Sequence, residues 1–371
     1  MTMLRMFCFD YISTGFGMSP ESIQNRLDTS CNDSNNKKVI KDGNPSFIVS
    51  GSRVSPAIST IGINNVYGRP CLVMSSGAST DSGFNTTGIV FNSDFIESGV
   101  SIKRIGAGIT LHASNAKSGE DIAMIRIDDK PAVFIRAPIN TEPTNYSLMV
   151  DVTTGKYTLK RGSVVISTGT ASIPTSKFSI ALGLNVSSSK TIGSPDKSTY
   201  TFTDGYLCLS DNTYDAVTFD NVSIKSHNID VVTKDAGWSG YGGSTTPEEI
   251  LKRSMQSPTT PNITSDKQGS ELEAKFGSVD VLDPALIVAA SVIVSGFQSD
   301  NSDSDAEITA LFPSIISPET TLSTKTTLKP APESQNRSNF TSLSVYSTDS
   351  GSPMTRETLD NITVKIRTKV K

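Results

Sequence analysis

Tyr146-Ser147-Leu148-Met149-Val150-Asp151, then Thr153-Thr154-Gly155, then Lys156-Tyr157-Thr158-Leu159-Lys160-Arg161 up to Gly162 is the stretch that decides the fold. Two runs with strand character flank a short Gly-containing turn, which is the signature of a β-hairpin. Gly162 allows one more reversal into a third run at 163–167.

Working outward, period two persists from Pro45 to Lys225. Upstream, strands are expected at 46–50, 57–63, 70–74, 88–91, 100–105 and 109–112, broken by Gly, Ser, Asn and Pro. They continue at 121–127 and 132–136, across an Asp128-Asp129-Lys130 turn. Downstream follow 176–184 and 200–210. Many short strands with turn chemistry between them predict an all-β sandwich or jelly roll.

The chain also repeats itself. Phe219-Asp220-Asn221-Val222-Ser223-Ile224-Lys225 returns as Leu359-Asp360-Asn361-Ile362-Thr363-Val364-Lys365, and both copies read as the closing strand of a module. Gly15-Phe16-Gly17, leading to Ser19-Pro20, returns as Gly240-Tyr241-Gly242, leading to Thr246-Pro247. Pro at the first helical position predicts a short helix after each glycine turn. The expected organisation is a strand, short helix and loop over 1–44, a sandwich over 45–227, and a smaller related β module over 228–371. Residues 257–270, with two prolines, read as a linker. Strands of the second module are expected at 229–233, 277–297, 306–312, 320–328, 340–346 and 358–369, with its helix at 247–255.

The hairpin from Tyr146 to Gly162 resembles the central hairpin of concanavalin-like and laminin-G-like sandwiches, and Phe219 to Ile224 is similar to their last strand. The resemblance covers about residues 45–227 and implies a concanavalin-like jelly roll. That family includes lectins, carbohydrate-binding modules, glycosidases and structural domains of tailed-phage virions. The low-cysteine, Ser/Thr/Asn-rich style of this chain is similar to the last group.

Bulk chemistry narrows the function classes. With 371 residues, 36% hydrophobic and 19% charged, the chain can bury more than one core. A net charge of −4 argues against nucleic acid as a partner, since phosphate neutralisation needs an excess of Lys and Arg. No apolar run reaches the roughly 18–20 residues of a membrane helix, and the first residues lack the apolar core of a secretion signal. No membrane association is expected, and synthesis in a host cytoplasm is. Cys8, Cys31, Cys71 and Cys208 are too dispersed for a zinc knuckle or a disulfide framework and read as buried thiols.

No catalytic constellation stands out. The Glu-x-Asp-x-Glu string of the glycan-cleaving relatives is missing, and Glu120-Asp121 and Asp128-Asp129 are adjacent pairs whose side chains diverge on a strand. His112 and His227 are the only histidines, and no Gly-x-Ser-x-Gly elbow accompanies them. The expectation is a non-enzyme without an organic cofactor. Asp300, Asp303 and Asp305 are the best metal candidates, with Ca²⁺ the cation that clustered carboxylates suit. Asp220 and Asp360 are further candidates for a structural cation. Trp238 and Tyr241 are the candidate interface or glycan-stacking pair.

These readings converge on a virion structural protein of a tail, baseplate, collar or capsid decoration, binding copies of itself and other virion proteins. The alternative is a glycan-binding adhesin that recognises a host surface glycan.

Overall fold

The computed structural model describes residues 3–8, 15–16, 30–31, 47–48, 58–76, 85–92, 101–114, 120–127, 133–137, 142–171, 178–186, 199–240, 246–252, 263–278, 287–296, 304–312, 322–327, 339–346 and 354–370. The protein is all-β, built of sandwiches whose strands pair antiparallel except where Ser30 and Cys31 run parallel to Thr341 and Ser342, with two short helices among the described residues. It divides into two compact units, Met1–Asp28 with Lys38–Lys225, and Thr29–Lys37 with Ser226–Lys371.

The first fifteen strands are β1 (Met3–Phe7), β2 (Gly15–Phe16), β3 (Ser30–Cys31), β4 (Phe47–Ile48), β5 (Ile58–Val66), β6 (Arg69–Ser76), β7 (Asn85–Asn92), β8 (Arg104–Ser114), β9 (Glu120–Ile127), β10 (Val133–Ala137), β11 (Thr144–Asp151), β12 (Lys156–Arg161), β13 (Val164–Thr170), β14 (Phe178–Val186) and β15 (Thr199–Ser210). In the first unit a nine-stranded sheet runs β13-β12-β11-β8-β15-β6-β5-β2, with β1 beside the second half of β15. A five-stranded sheet, β10-β9-β14-β7-β4, packs on it, with β14 over β8 and β11.

The hairpin at 146–161 forms in the expected register, Tyr146 opposite Arg161 and Val150 opposite Tyr157. Its turn is organised by Asp151, whose Oδ1 accepts from Thr153 N at 2.9 Å, Thr153 Oγ1 at 2.7 Å and Thr154 N at 3.0 Å. Partial burial works upward on that carboxyl, but the bonds from Thr153 and Thr154 outweigh it and hold its pKa below the usual value. Gly155 then takes φ +69°, where a side chain would be strained.

Two expectations for this unit are corrected. The separate strands at 100–105 and 109–112 are one strand, β8. Gly106 and Gly108 read as breaks, yet they are places of close approach: a Cβ on Gly108 would lie 2.0 Å from Tyr206 Cε1, and one on Gly106 only 1.6 Å from the Val217 carbonyl oxygen. The supposed closing strand at 219–225 is no strand at all, since Asp220 and Asn221 turn there and Asn221 sits at φ +54°. Side chains hold this segment in place of a ladder. Tyr206 Oη accepts from Phe219 N at 2.9 Å, and the Asp204 carboxylate accepts from Ile224 N at 3.1 Å. Tyr206, Phe202, Cys208 and Leu209 are consequently buried in a strand covered on both faces.

The second unit contains β16 (Ile229–Ala236), β17 (Ser239–Gly240), β18 (Ile263–Thr264), β19 (Glu271–Phe276), β20 (Ala289–Gly296), β21 (Ser304–Phe312), β22 (Leu322–Thr327), β23 (Asn339–Tyr346) and β24 (Thr363–Val370). A five-stranded sheet, β16-β19-β24-β21-β22, and a three-stranded one, β20-β23-β3, share a core of Leu272, Ala274, Val292, Ile308, Phe312, Val364 and Ile366. The opposite face of the larger sheet is a charge ladder in which Glu271 meets Lys234 and Arg367, Glu273 meets Lys365, and Glu307 meets Lys369. The bond from Lys234 leads in holding the Glu271 carboxyl below its ordinary value, and the bond from Lys365 does the same for Glu273.

Helix α1 (Pro247–Leu251) follows Thr246, which closes a capping box with Glu249. It ends well short of the expected 255, in described residues as far as Lys252. Part of the expected linker is structure: β18 pairs with β17, and Ser270 is buried in bonds to Ser265, Gly237 and Lys267. The expected strand 358–369 begins as helix α2 (Arg356–Asp360), capped by Thr355, so the two copies of the repeat fold differently. The expected helix after Pro20 and the Asp128-Asp129-Lys130 turn lie outside the described residues.

Candidate functional site

Among the candidates read from the sequence, Trp238 follows Gly237 at φ +81° and packs against the core of the second unit. Its indole Nε1 is buried without a hydrogen-bond partner among the described residues. Tyr241 lies outside the described residues, as do Asp300 and Asp303. Asp305 stands on β21 opposite Lys369. Among the described residues no three His, Cys, Asp or Glu side chains group as a metal site. Asp220 faces Lys160 at 3.2 Å and Asp360 faces Arg356 at 3.8 Å, so each carboxylate meets a cation of its own chain.

His112, by contrast, belongs to an arrangement that the sequence reading missed. Residues 66–69 form a two-residue hairpin turn between β5 and β6, with Tyr67 at φ +55° and Gly68 at φ +78°. Asn, Asp or Gly is the ordinary occupant of the first position, so an aromatic residue there is an outlier. Tyr67 is 55% exposed, and its ring makes a T-shaped contact with His112, centroids 5.2 Å apart and planes at 83°. Partial burial, then the Glu142 carboxylate and Cys71, push its phenol above the ordinary pKa.

Below that tip the sheet carries a strip of polar side chains on one face. Thr203 of β15 and Asn145 of β11 both lie opposite Thr110 of β8, and His112 follows two residues along β8 on the same face. Asn145 and Thr203 are each only 7% exposed. Both amide atoms of Asn145, the Thr203 Oγ1 and the His112 Nδ1 are buried without hydrogen-bond partners among the described residues. Each buried unsatisfied group costs about 1–3 kcal/mol, so such a strip is an unusual thing to leave without protein partners.

The hairpin is tied down beside this strip. Arg69 Nη1 donates to Asp204 Oδ2 at 2.9 Å, and Nη2 donates to the Ile224 carbonyl at 2.7 Å. Asp204 occupies the bulge where the pairing of β15 with β8 shifts register, and its φ is +50°. Chemically, the tip offers an aromatic face, a carboxylate at its rim and uncharged amide and hydroxyl groups underneath, a set suited to binding.

No family model matches the chain, and no curated protein does. Solved structures similar to it include two β proteins. The cellulose induced protein Cip1 is 9% identical with a TM-score of 0.26, over 41% of this chain and 85% of that one. The N-terminal CBM22-1-CBM22-2 tandem domain from Paenibacillus barcinonensis Xyn10C is 10% identical with a TM-score of 0.22, over 88% of each chain. At these values neither structure says what this chain binds.

Proposed function

We propose that the chain is a non-enzymatic structural protein that assembles with copies of itself and with neighbouring proteins, as a tail, baseplate, collar or capsid-decorating component of a tailed-phage virion. The observation that carries this reading is the edge of the nine-stranded sheet. Among the described residues no strand lies beyond β13, and its Val164 and Val165 are 58% and 51% exposed. An apolar sheet edge is a template for a partner unless something blunts it. The bulge where Leu159 and Lys160 face Ser167 and Val165 shortens the run available for strand addition, so the valine side chains supply the contact. The Ser/Thr/Asn-rich composition and the concanavalin-like hairpin support the virion assignment. The test is mass spectrometry of density-purified particles from the producing strain. A stoichiometric, salt-resistant complement of this chain is the expected result, and particles without it contradict the assignment.

A second reading, glycan binding in the manner of an adhesin, is favoured by two exposed aromatic rings, Tyr67 at its hairpin tip and Tyr214, 90% exposed. Tyr214 sits on a loop fixed by Ser210 Oγ donating to Asp215 Oδ2 at 2.6 Å and by Asn212 Oδ1 accepting from Tyr214 N at 3.0 Å.

A further inference from the structure

We infer that the β5–β6 hairpin tip and the polar strip beneath it form a binding site for a neutral oligosaccharide, with Tyr67 as the stacking platform. The inference rests on the glycan-binding reading and gives it a location and a ligand class.

Three independent features meet at this one place. Tyr67 places a large aromatic side chain at positive φ, where a small polar residue or glycine is at home, and the residue is more than half exposed while its ring meets that of His112 in a T-shaped contact. Asn145, Thr203 and His112 lie on the sheet face below with polar atoms buried and unpartnered. Glu142, exposed, lies two residues before Thr144, which pairs with Leu111 next to His112, and its carboxylate acts on the Tyr67 phenol.

The chemistry selects the ligand. The C–H face of a pyranose stacks on one aromatic ring, and its hydroxyls both donate and accept, which amide, hydroxyl and carboxylate groups can match. A protein partner needs about 800 Å² on each side, far more than a single tyrosine at a narrow turn presents. Glu142 at the rim repels anionic sugars, so sialylated and uronic glycans are disfavoured. The polar atoms of the strip are buried, so the site requires the tip to move for hydroxyls to reach them, and the bonds of Arg69 to Asp204 and Ile224 restrain that movement.

The experiment is a calorimetric titration of the full chain with gluco-, xylo-, manno- and galacto-configured neutral hexasaccharides and one sialylated glycan. Four proteins are compared: wild type, Tyr67→Ala, Tyr67→Phe and Asn145→Leu. Wild type is expected to bind at least one neutral hexasaccharide saturably and the sialylated glycan at least tenfold more weakly. Tyr67→Ala should raise Kd at least tenfold, whereas Tyr67→Phe, which keeps the ring, should stay within threefold. Asn145→Leu should also weaken binding at least tenfold, yet its Tm should equal or exceed that of wild type, because an unpaired buried amide has been replaced by an apolar group of similar shape. A purely structural Asn145 would give a lower Tm and unchanged affinity. Binding by wild type that Tyr67→Ala and Asn145→Leu leave unchanged overturns this site while the glycan-binding reading stands. No saturable binding of any neutral hexasaccharide overturns both.

Discussion

Arg69 and Asp204, 135 positions apart in the chain, meet at 2.9 Å in the bulge of β15 and there join the β5–β6 hairpin to the segment that ends at Lys225. The same guanidinium bonds the Ile224 carbonyl, and the same carboxylate accepts from Ile224 N. One ion pair thus fixes two segments that cover the face of the sheet where Tyr206 and His112 lie. Asp204 is the more deeply buried partner. Removing Arg69 therefore takes a guanidinium from a buried carboxylate, whereas removing Asp204 leaves a cation that can turn to water. Breaking a fully buried pair costs about 3–5 kcal/mol, and partial exposure of the arginine lowers that to about 2–3 kcal/mol for Arg69→Met. Urea unfolding should show the larger loss for Arg69→Met and the smaller for Asp204→Asn. Equal losses would mean that the pair is no anchor.

Tyr206 and the glycines facing it give a second prediction. Tyr206→Phe leaves the Phe219 N–H without the phenol oxygen that accepts from it at 2.9 Å, a loss of about 1–3 kcal/mol. Gly108→Ala puts a Cβ 2.0 Å from the Tyr206 ring and should destabilise by about 3 kcal/mol or more, since the ring has no other place to go. Thermal melts read both. A Gly108→Ala protein that melts with wild type would contradict the close packing described.

How much of this was legible in the sequence depends on what holds each element. The hairpin from Tyr146 to Arg161 was legible because its order is local: alternation, an Asx turn and a glycine at positive φ all lie within a few residues. The closing segment at 219–225 was not. Its alternation is strand-like, but its partners are Asp204, Arg69 and Tyr206, chosen by tertiary structure. Strand β19 was missed for a different reason, because Glu271, Glu273, Ala274 and Lys275 are weak strand formers and only the ladder to β24 makes them a strand. Tyr67-Gly68 was visible as residues, yet nothing local announces that the tyrosine takes positive φ or that Asn145, Thr203 and His112 converge beneath it.

Alkaline pH provides a third prediction. Burial pushes the Cys208 thiol up to about 12 and raises the Tyr206 phenol as well. Both groups are neutral when protonated, and the unfolded chain releases those protons at lower pH than the folded one. Stability is then fully present below the unfolded thiol pKa of about 8.5 and falls as pH rises above it, approaching about 1.4 kcal/mol per pH unit for each such group. The slope between pH 9 and 11 should flatten in Cys208→Ala, whatever its stability at pH 7. An unchanged slope would remove Cys208 as the cause.

In the second unit, Thr246→Ala removes the side-chain acceptor of the Glu249 N–H, and with it one half of the capping box. A loss of about 1 kcal/mol is expected. Because α1 buries Pro247 and Ile250, the change should lower the melting temperature of the second unit, seen as reduced hydrogen-exchange protection at 247–252. Unchanged protection there would show that packing alone holds the helix.

The most direct test of assembly through the β13 edge is sedimentation velocity of the purified chain across a concentration series, with Val164→Lys/Val165→Lys as the comparison. Both valines are more than half exposed, so the double variant keeps the fold of the monomer. The account predicts a concentration-dependent oligomer for wild type and a folded monomer for the variant. A wild type that stays monomeric up to about 100 µM, above the range of a useful self-association, or a variant that assembles as wild type does, would contradict it.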